Sequence, residues 1–268
     1  VREGVVSEED ILEPEPARDE DIAQVHHQDY IDKLKRGTLS YEEILRMEVP
    51  YSPELVQAVW LAAGGSILAG RLALKDSLAV NLSGGFHHAF PDHGEGFCVI
   101  HDVAVAIRRL QNDQAIRTAM TVDCDVHQGN GTAFIFLDDP TVFTFSIHQE
   151  RNYPYPKPPS NLDINLEDGT NDDEYLAALE EGLDESLAQF RPDVIFYVAG
   201  ADPYREDQLG GLSLSIEGLM RRDRMVFEKA QKKGIPCVVT LAGGYARRVE
   251  DTVRIHANTV RVAKEFAS

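Results

Sequence analysis

Short unbroken apolar runs alternate along the chain with longer stretches in which apolar residues recur every three to four positions. Residues 77–82 (SLAVNL), 118–126 (TAMTVDCDV), 141–147 (TVFTFSI), 194–199 (VIFYVA) and 237–241 (CVVTL) have the near-continuous apolarity of buried parallel strands. Between the runs the period changes. Residues 171–190 place Tyr175, Leu176, Leu179, Leu183 and Leu187 on one stripe, with Asn171 and Glu174 as a capping box. Residues 215–233 predict a second helix, stopped by Gly234 and Pro236, and residues 53–74 a third. This alternation predicts an α/β fold, a mostly parallel sheet with helices on both faces. The Pro-rich stretch 153–160 (YPYPKPPS) reads as a loop, because the alternation continues on both sides of it, so residues 1–268 are expected to form a single domain.

Composition narrows the function. Of 268 residues, 43% are hydrophobic and 26% charged, which is globular and not disordered. Lys and Arg number 26 against 45 Asp and Glu, a net charge of −19. That balance argues against a nucleic-acid surface, which needs clustered cations. It favours cationic partners, or is simply a solvating surface. No apolar run of about 18 residues stands out, so no membrane span is expected, and no basic-then-apolar leader is read. Cys98, Cys124 and Cys237 form no CxxC pair and sit among apolar residues. They read as buried free thiols of a cytoplasmic protein, which argues against a Cys-based zinc site.

The candidate chemistry lies just beyond the strands, where open parallel sheets bind ligands. SLAVNL runs into Ser83-Gly84-Gly85-Phe86-His87-His88, and the next strand into Asp123, Asp125 and His127. VIFYVA leads to Asp202 and CVVTL to Tyr245, each beside glycine. In extended backbone, Asp123, Asp125 and His127 share one side and Val122, Cys124 and Val126 the other. Asp125, His127 and Asp202 could supply three ligands to a catalytic zinc, neutralising its charge and leaving room for water. Alone, D-x-D-x-H could equally be a solvated turn, and His87-His88 a buried structural pair. Beside a metal, the two rings could move protons, and Tyr245 could donate to a developing oxyanion. The other histidines, His148 among them, read as structural. No GxSxG elbow, GxGxxG fingerprint or P-loop is present.

The segments GGFHHAFPDHGEGFCVIHDVAVAI, DCDVHQGNGTAFIF, LEDGTNDDEYL, AGADPYREDQLGGLSLS and LAGGYARR resemble zinc-dependent histone deacetylases, most closely the class IV branch and its bacterial relatives. The resemblance spans roughly residues 14–263 and implies the arginase–deacetylase fold, a three-layer α/β/α sandwich around about eight strands. It implies that Asp125, His127 and Asp202 hold Zn²⁺, with Fe²⁺ as an alternative, and that His87, His88 and Tyr245 are catalytic. Asp123 matches the acid behind the first histidine. Gly96, Phe97, Tyr153 and Leu209 match positions lining an acyl-lysine tunnel. Asp123 and Ser146 fall where the family often holds a structural K⁺. The implied substrate is an acyl-lysine protein or peptide, with oligomeric state left open.

Two departures stand out. Asn130 occupies the position where many relatives place an acid behind the second histidine, so His88 is expected to be less basic. The family's first strand is expected to be missing, removed or disordered, since only about a dozen residues precede the matching region. Two competing readings are kept: an amidase for acetylated polyamines or other small amides, and a weakly active acyl-lysine-binding module.

Overall fold

The computed structural model describes residue 1 and residues 4–267. Six parallel strands form one sheet: β1 (Leu78–Asn81), β2 (Ala119–Asp123), β3 (Val142–Gln149), β4 (Leu162–Leu166), β5 (Val194–Val198) and β6 (Cys237–Thr240), in the order β1-β6-β5-β2-β3-β4. Five of them are the apolar runs of the sequence. The sixth, β4 (LDINL), alternates Leu162, Ile164 and Leu166 with Asp163 and Asn165 at the sheet edge, a pattern the search for continuous apolar runs passes over. Among the described residues the strands number six, where the resemblance implied about eight.

Nine α-helices surround the sheet among the described residues: α1 (Asp19–Ile22), α2 (Gln28–Arg36), α3 (Tyr41–Met47), α4 (Pro53–Asp76), α5 (Asp102–Asn112), α6 (Asn130–Ile135), α7 (Asp172–Gln189), α8 (Ile216–Lys233) and α9 (Val249–Phe266). The three predicted helices are present, and their caps are as read. Asn171 accepts from the backbone of Asp173 and Glu174 at 3.0 and 3.2 Å while Glu174 accepts from Asn171 N at 3.0 Å. Gly234 ends α8 in the left-handed region.

Period-2 alternation divides the interior into two cores. Met120, Val122, Ile195, Tyr197, Cys237 and Val239 pack toward α7, α8 and α9. Ala119, Val194, Phe196, Val198 and Val238 face the other way, toward α2, α4 and α5. The three cysteines are free and buried. The expectation that no apolar run of about 18 residues stands out is corrected at α4. By length and composition α4 is apolar enough to cross a bilayer, and half of its most apolar 18-residue window is buried. Its apolarity answers to the fold: Val59, Ala63, Ile67 and Ala73 belong to the second core, shared with α5.

The sheet register is what assembles the rim. Asn81 pairs with Thr240, Thr240 with Val198, Val198 with Asp123 and Asp123 with Ser146. Residues from five strands thus stand in one row, and the loops leaving β1, β2, β5 and β6 start side by side.

Candidate active site

Beyond Asp123 the chain stays extended, Cys124 N donating to Val198 O at 3.0 Å, so Asp123 and Asp125 stay on one side while Cys124 and Val126 enter the core. Asp125 and His127 then meet Asp202 from the loop after β5. One donor atom from each of the three lies within 4.8 Å of the others. His127 Nδ1 is 3.0 Å from Asp125 Oδ1 and 3.5 Å from Asp202 Oδ2. Burial and the neighbouring Asp125 charge push Asp202 up to about 7. Burial opposes the charge on Asp125, but His87 and His127 hold it well below the usual carboxylate range. Burial likewise disfavours charge on His127, yet Asp125 and Asp202 overcome it and lift the ring to about 10.

These residues fit a divalent cation. Asp202 Oδ2 is buried without a hydrogen-bond partner, an acceptor turned into the cluster. A Cβ at Gly243 would sit 2.7 Å from Asp202 Oδ2 and 2.9 Å from Asp125 Oδ2, so only glycine leaves that side of the cradle open. Two buried carboxylates repelling each other, with an imidazole proton between them, is an arrangement a divalent metal relieves.

The turn after β1 delivers the paired histidines. Gly84 and Gly85 adopt φ of +80° and +79°, the irregular backbone that lets adjacent residues face one cleft. Asp102 secures the turn, accepting from Phe86 N at 2.8 Å and Gly85 N at 3.2 Å. The two imidazoles lie 4.0 Å apart between centroids. His87 Nδ1 meets Asp123 Oδ2 at 2.7 Å, and its Nε2 is 3.7 Å from Asp125 Oδ1. Burial works against its charge, but Asp123 and Asp125 prevail and raise it to about 9. Asp123 itself is held above the ordinary carboxylate range by burial, which His87 only partly offsets. With two carboxylates beside it, the ring is where the proton sits. His88 Nδ1 meets the neutral Asn130 Oδ1 at 2.7 Å. Burial, then His87 and His127, push His88 well below its ordinary value, and the hydrogen bond to Asn130 offsets this only in part. Adjacent rings are thus driven apart, one cationic and one neutral.

One cleft of about 350 Å³ gathers His87, His88, Asp125, His127, Asp202 and Tyr245 together with Gly96, Phe97, Tyr153 and Leu209. Burial, then Asp125 and Asp202, lift the Tyr245 phenol to about 12, so it is a neutral donor at pH 7. Phe97 and Tyr245 rings lie 5.7 Å apart, and Tyr153 meets His88 edge-on at 4.9 Å. Asp123 and Ser146 face each other across β2 and β3, and Ser146 Oγ is 2.9 Å from His148 Nδ1. Asp207 was not among the residues singled out from the sequence. It accepts from Leu209 N, Gly210 N and Tyr245 N at 2.8, 3.1 and 2.6 Å and so fixes two sides of the cleft. Glu95 was also missed. It accepts from Asn130 Nδ2 at 2.8 Å and from Tyr153 OH at 2.5 Å. An acid directly before Gly96-Phe97 is the one sequence signal that could have marked it.

Comparison with known proteins points the same way. Residues 1–260 match the model of the histone deacetylase domain. An uncharacterised protein of Picosynechococcus is 42% identical over 265 residues, covering 99% of this chain and 88% of its own. Histone deacetylase 2 of Arabidopsis thaliana is 34% identical, covering 97% of this chain and 69% of its own. The acetoin utilization protein AcuC of Bacillus subtilis is 32% identical, covering 88% and 67%. Among solved structures, a histone deacetylase homologue in complex with SAHA superposes with a TM-score of 0.84 at 27% identity, covering 97% of this chain and 73% of that one. A homologue from Aquifex aeolicus gives 0.83 at 26% identity with the same coverage.

Proposed function

The chain belongs to the histone deacetylase family of zinc-dependent amide hydrolases, and from that premise we propose that it removes acetyl or longer acyl groups from the lysine side-chain amine in proteins or peptides. The observation that carries this reading is the convergence of Asp125, His127 and Asp202 with His87, His88 and Tyr245 on one cleft.

Asp125, His127 and Asp202 would hold Zn²⁺, or Fe²⁺, which the same oxygen and nitrogen donors accept. When bound, such an ion supplies Lewis acidity to the amide carbonyl and lowers the pKa of water. The chain's own residues do the rest. His88 is neutral and anchored through Nδ1, which leaves Nε2 free to take a proton from water and return it to the departing amine. His87, kept cationic by Asp123, stabilises negative charge developing beside it. The Tyr245 hydroxyl donates to the carbonyl oxygen as that atom gains charge. Phe97, Tyr153, Gly96 and Leu209 would enclose the lysine methylenes and exclude water. Gly84, Gly85, Phe86 and Ala242 also line the cleft. Asp123 and Ser146, partners across two strands, are carried as a K⁺ site on the resemblance alone.

The test is a substrate panel on zinc-loaded protein: acetyl-lysine and long-acyl-lysine peptides and an acetylpolyamine, each with and without chelator. Chelator-sensitive turnover of the peptides is expected. Turnover confined to the acetylpolyamine would overturn the lysine assignment. No turnover of any substrate by metal-loaded protein would leave a binding module.

A further inference from the structure

A neutral amide behind His88 has two ends, one accepting and one donating, and something must decide which end meets the ring. Asn130 is 3% exposed. Its Oδ1 accepts from His88 Nδ1 at 2.7 Å and from Gly131 N at 3.1 Å. Its Nδ2 donates to Glu95 Oε1 at 2.8 Å. An ionised carboxylate only accepts, so a flipped amide would bring Asn130 Oδ1 against Glu95, acceptor on acceptor. The flip would also turn a donor toward Gly131 N–H. The surroundings therefore admit one amide orientation and hence one His88 tautomer, with the proton on Nδ1 and a free Nε2.

Glu95 has a second attachment. The same Oε1 accepts from Tyr153 OH at 2.5 Å, and Tyr153 forms the wall edge-on to His88. On its own segment, Glu95 and Cys98 exchange backbone hydrogen bonds at 2.9 Å in both directions, a tight hairpin that carries Gly96 and Phe97 into the cleft. The other carboxylate oxygen faces His93 Nε2 at 3.4 Å, and His93 Nδ1 meets Asp92 at 2.7 Å. His93 foremost, against burial and with help from Tyr153 and Asn130, holds Glu95 down to about 2, so it stays ionised.

We propose that Glu95 is a positioning residue for the hydrolysis: through the Asn130 amide it fixes which His88 nitrogen carries the proton, and through the Tyr153 hydroxyl it fixes the cleft wall beside that ring. The inference rests on the deacylase reading for its catalytic consequence, but its structural half can be read without turnover.

The experiment uses the zinc-loaded protein and a set of single variants with one double variant. Glu95→Leu keeps bulk and removes both acceptors; kcat should fall at least ~10-fold, because Asn130 Nδ2 is left buried without a partner and the side chain reorients. Glu95→Gln retains a carbonyl that can accept from both donors, and the Gly131 N–H still opposes the flipped amide, so kcat should stay within ~3-fold of wild type. Asn130→Asp sets two carboxylates at hydrogen-bond distance and should be impaired alone. Combined with Glu95→Leu, that repulsion is gone, and the introduced carboxylate needs no partner to hold an acceptor toward His88. The double variant should therefore turn over faster than either single variant. Tyr153→Phe, which cuts only the wall attachment, should raise KM more than it lowers kcat. The His88 ring ¹⁵N shifts report the tautomer directly. A single Nδ1–H form is expected in wild type and Glu95→Gln, and a mixture in Glu95→Leu.

Unchanged His88 shifts in Glu95→Leu would overturn the proposal even if no acyl substrate were ever turned over. In an active enzyme, so would an unchanged kcat in Glu95→Leu, or losses from Glu95→Leu and Asn130→Asp that simply multiply in the double variant. If the shifts change while the whole panel stays inactive, the positioning role stands and the deacylase reading falls.

Discussion

Metal uptake should be coupled to protons in a way the cluster geometry specifies. Asp202 is lifted to about 7 and His127 to about 10, whereas a zinc site needs a carboxylate and a neutral imidazole. Both shifts are upward, so both groups hold protons at low pH that the metal must displace. Below pH 7 two protons leave, and zinc affinity should rise by up to ~100-fold per pH unit. Above pH 7 only the His127 proton remains to be displaced, and the rise should slow to ~10-fold per unit until about pH 10. The assay is competition against a fluorescent zinc chelator in non-coordinating buffers from about pH 6 to 9, corrected for the chelator's own protonation. Asp202→Asn should weaken binding throughout and abolish the steeper limb. A pH-independent affinity, or a steep limb that survives Asp202→Asn, would refute the assignment of these two groups as competing proton and metal sites.

Three further outcomes follow from other parts of the molecule. Tyr245→Phe removes the neutral donor on the cleft and should lower kcat by roughly 10²–10³ with KM little changed, and an unaltered kcat removes Tyr245 from the reaction. Fully buried Arg222 bonds Gly200 O at 2.6 Å, Cys124 O at 3.2 Å and Asp223. Arg222→Met leaves the buried Asp223 carboxylate without its cation, held only by the Tyr197 and Thr259 hydroxyls, and should cost about 3–5 kcal/mol in urea denaturation; a loss under about 1 kcal/mol would contradict the ion pair's role. With a net charge of −19 and Glu48 on the cleft, kcat/KM for a Lys-rich acyl peptide should fall with added salt far more than for a neutral one. Equal salt sensitivity would show that the acidic surface does not attract substrate.

Four strands were legible because they are buried throughout, so apolarity alone marks them; β1, only partly buried at one edge, still shows a short apolar run, whereas β4 at the other edge escaped because Asp163 and Asn165 interrupt its apolar residues. Candidate ligands were legible because open parallel sheets deliver chemistry beyond their strands, and four such loops carried His, Asp and Tyr. What the sequence could not show was which side chain stands behind which. Asp123 and Asn130 entered through resemblance. Glu95 lies 35 residues from Asn130 and 58 from Tyr153 in the chain, and Asp207 38 from Tyr245. Pairings at that separation exist only once β1, β2 and β6 stand in register. Arg222 reads as one more charge on an amphipathic helix, yet it is fully buried and holds the carbonyls of Cys124 and Gly200 beside two of the three candidate ligands. In α4 the sequence reading passed over an apolar window of 18 residues, because its few polar residues break the run without lowering its mean hydropathy much.

On the deacylase reading, Asp125, His127 and Asp202 together hold the catalytic metal. Crystals grown with zinc, with diffraction collected on both sides of the zinc absorption edge, test it most directly. One strong anomalous peak is expected about 2.0–2.2 Å from a donor atom of each of the three residues, lost in Asp202→Ala. No peak there at saturating zinc, or a peak bound to other side chains, would contradict it.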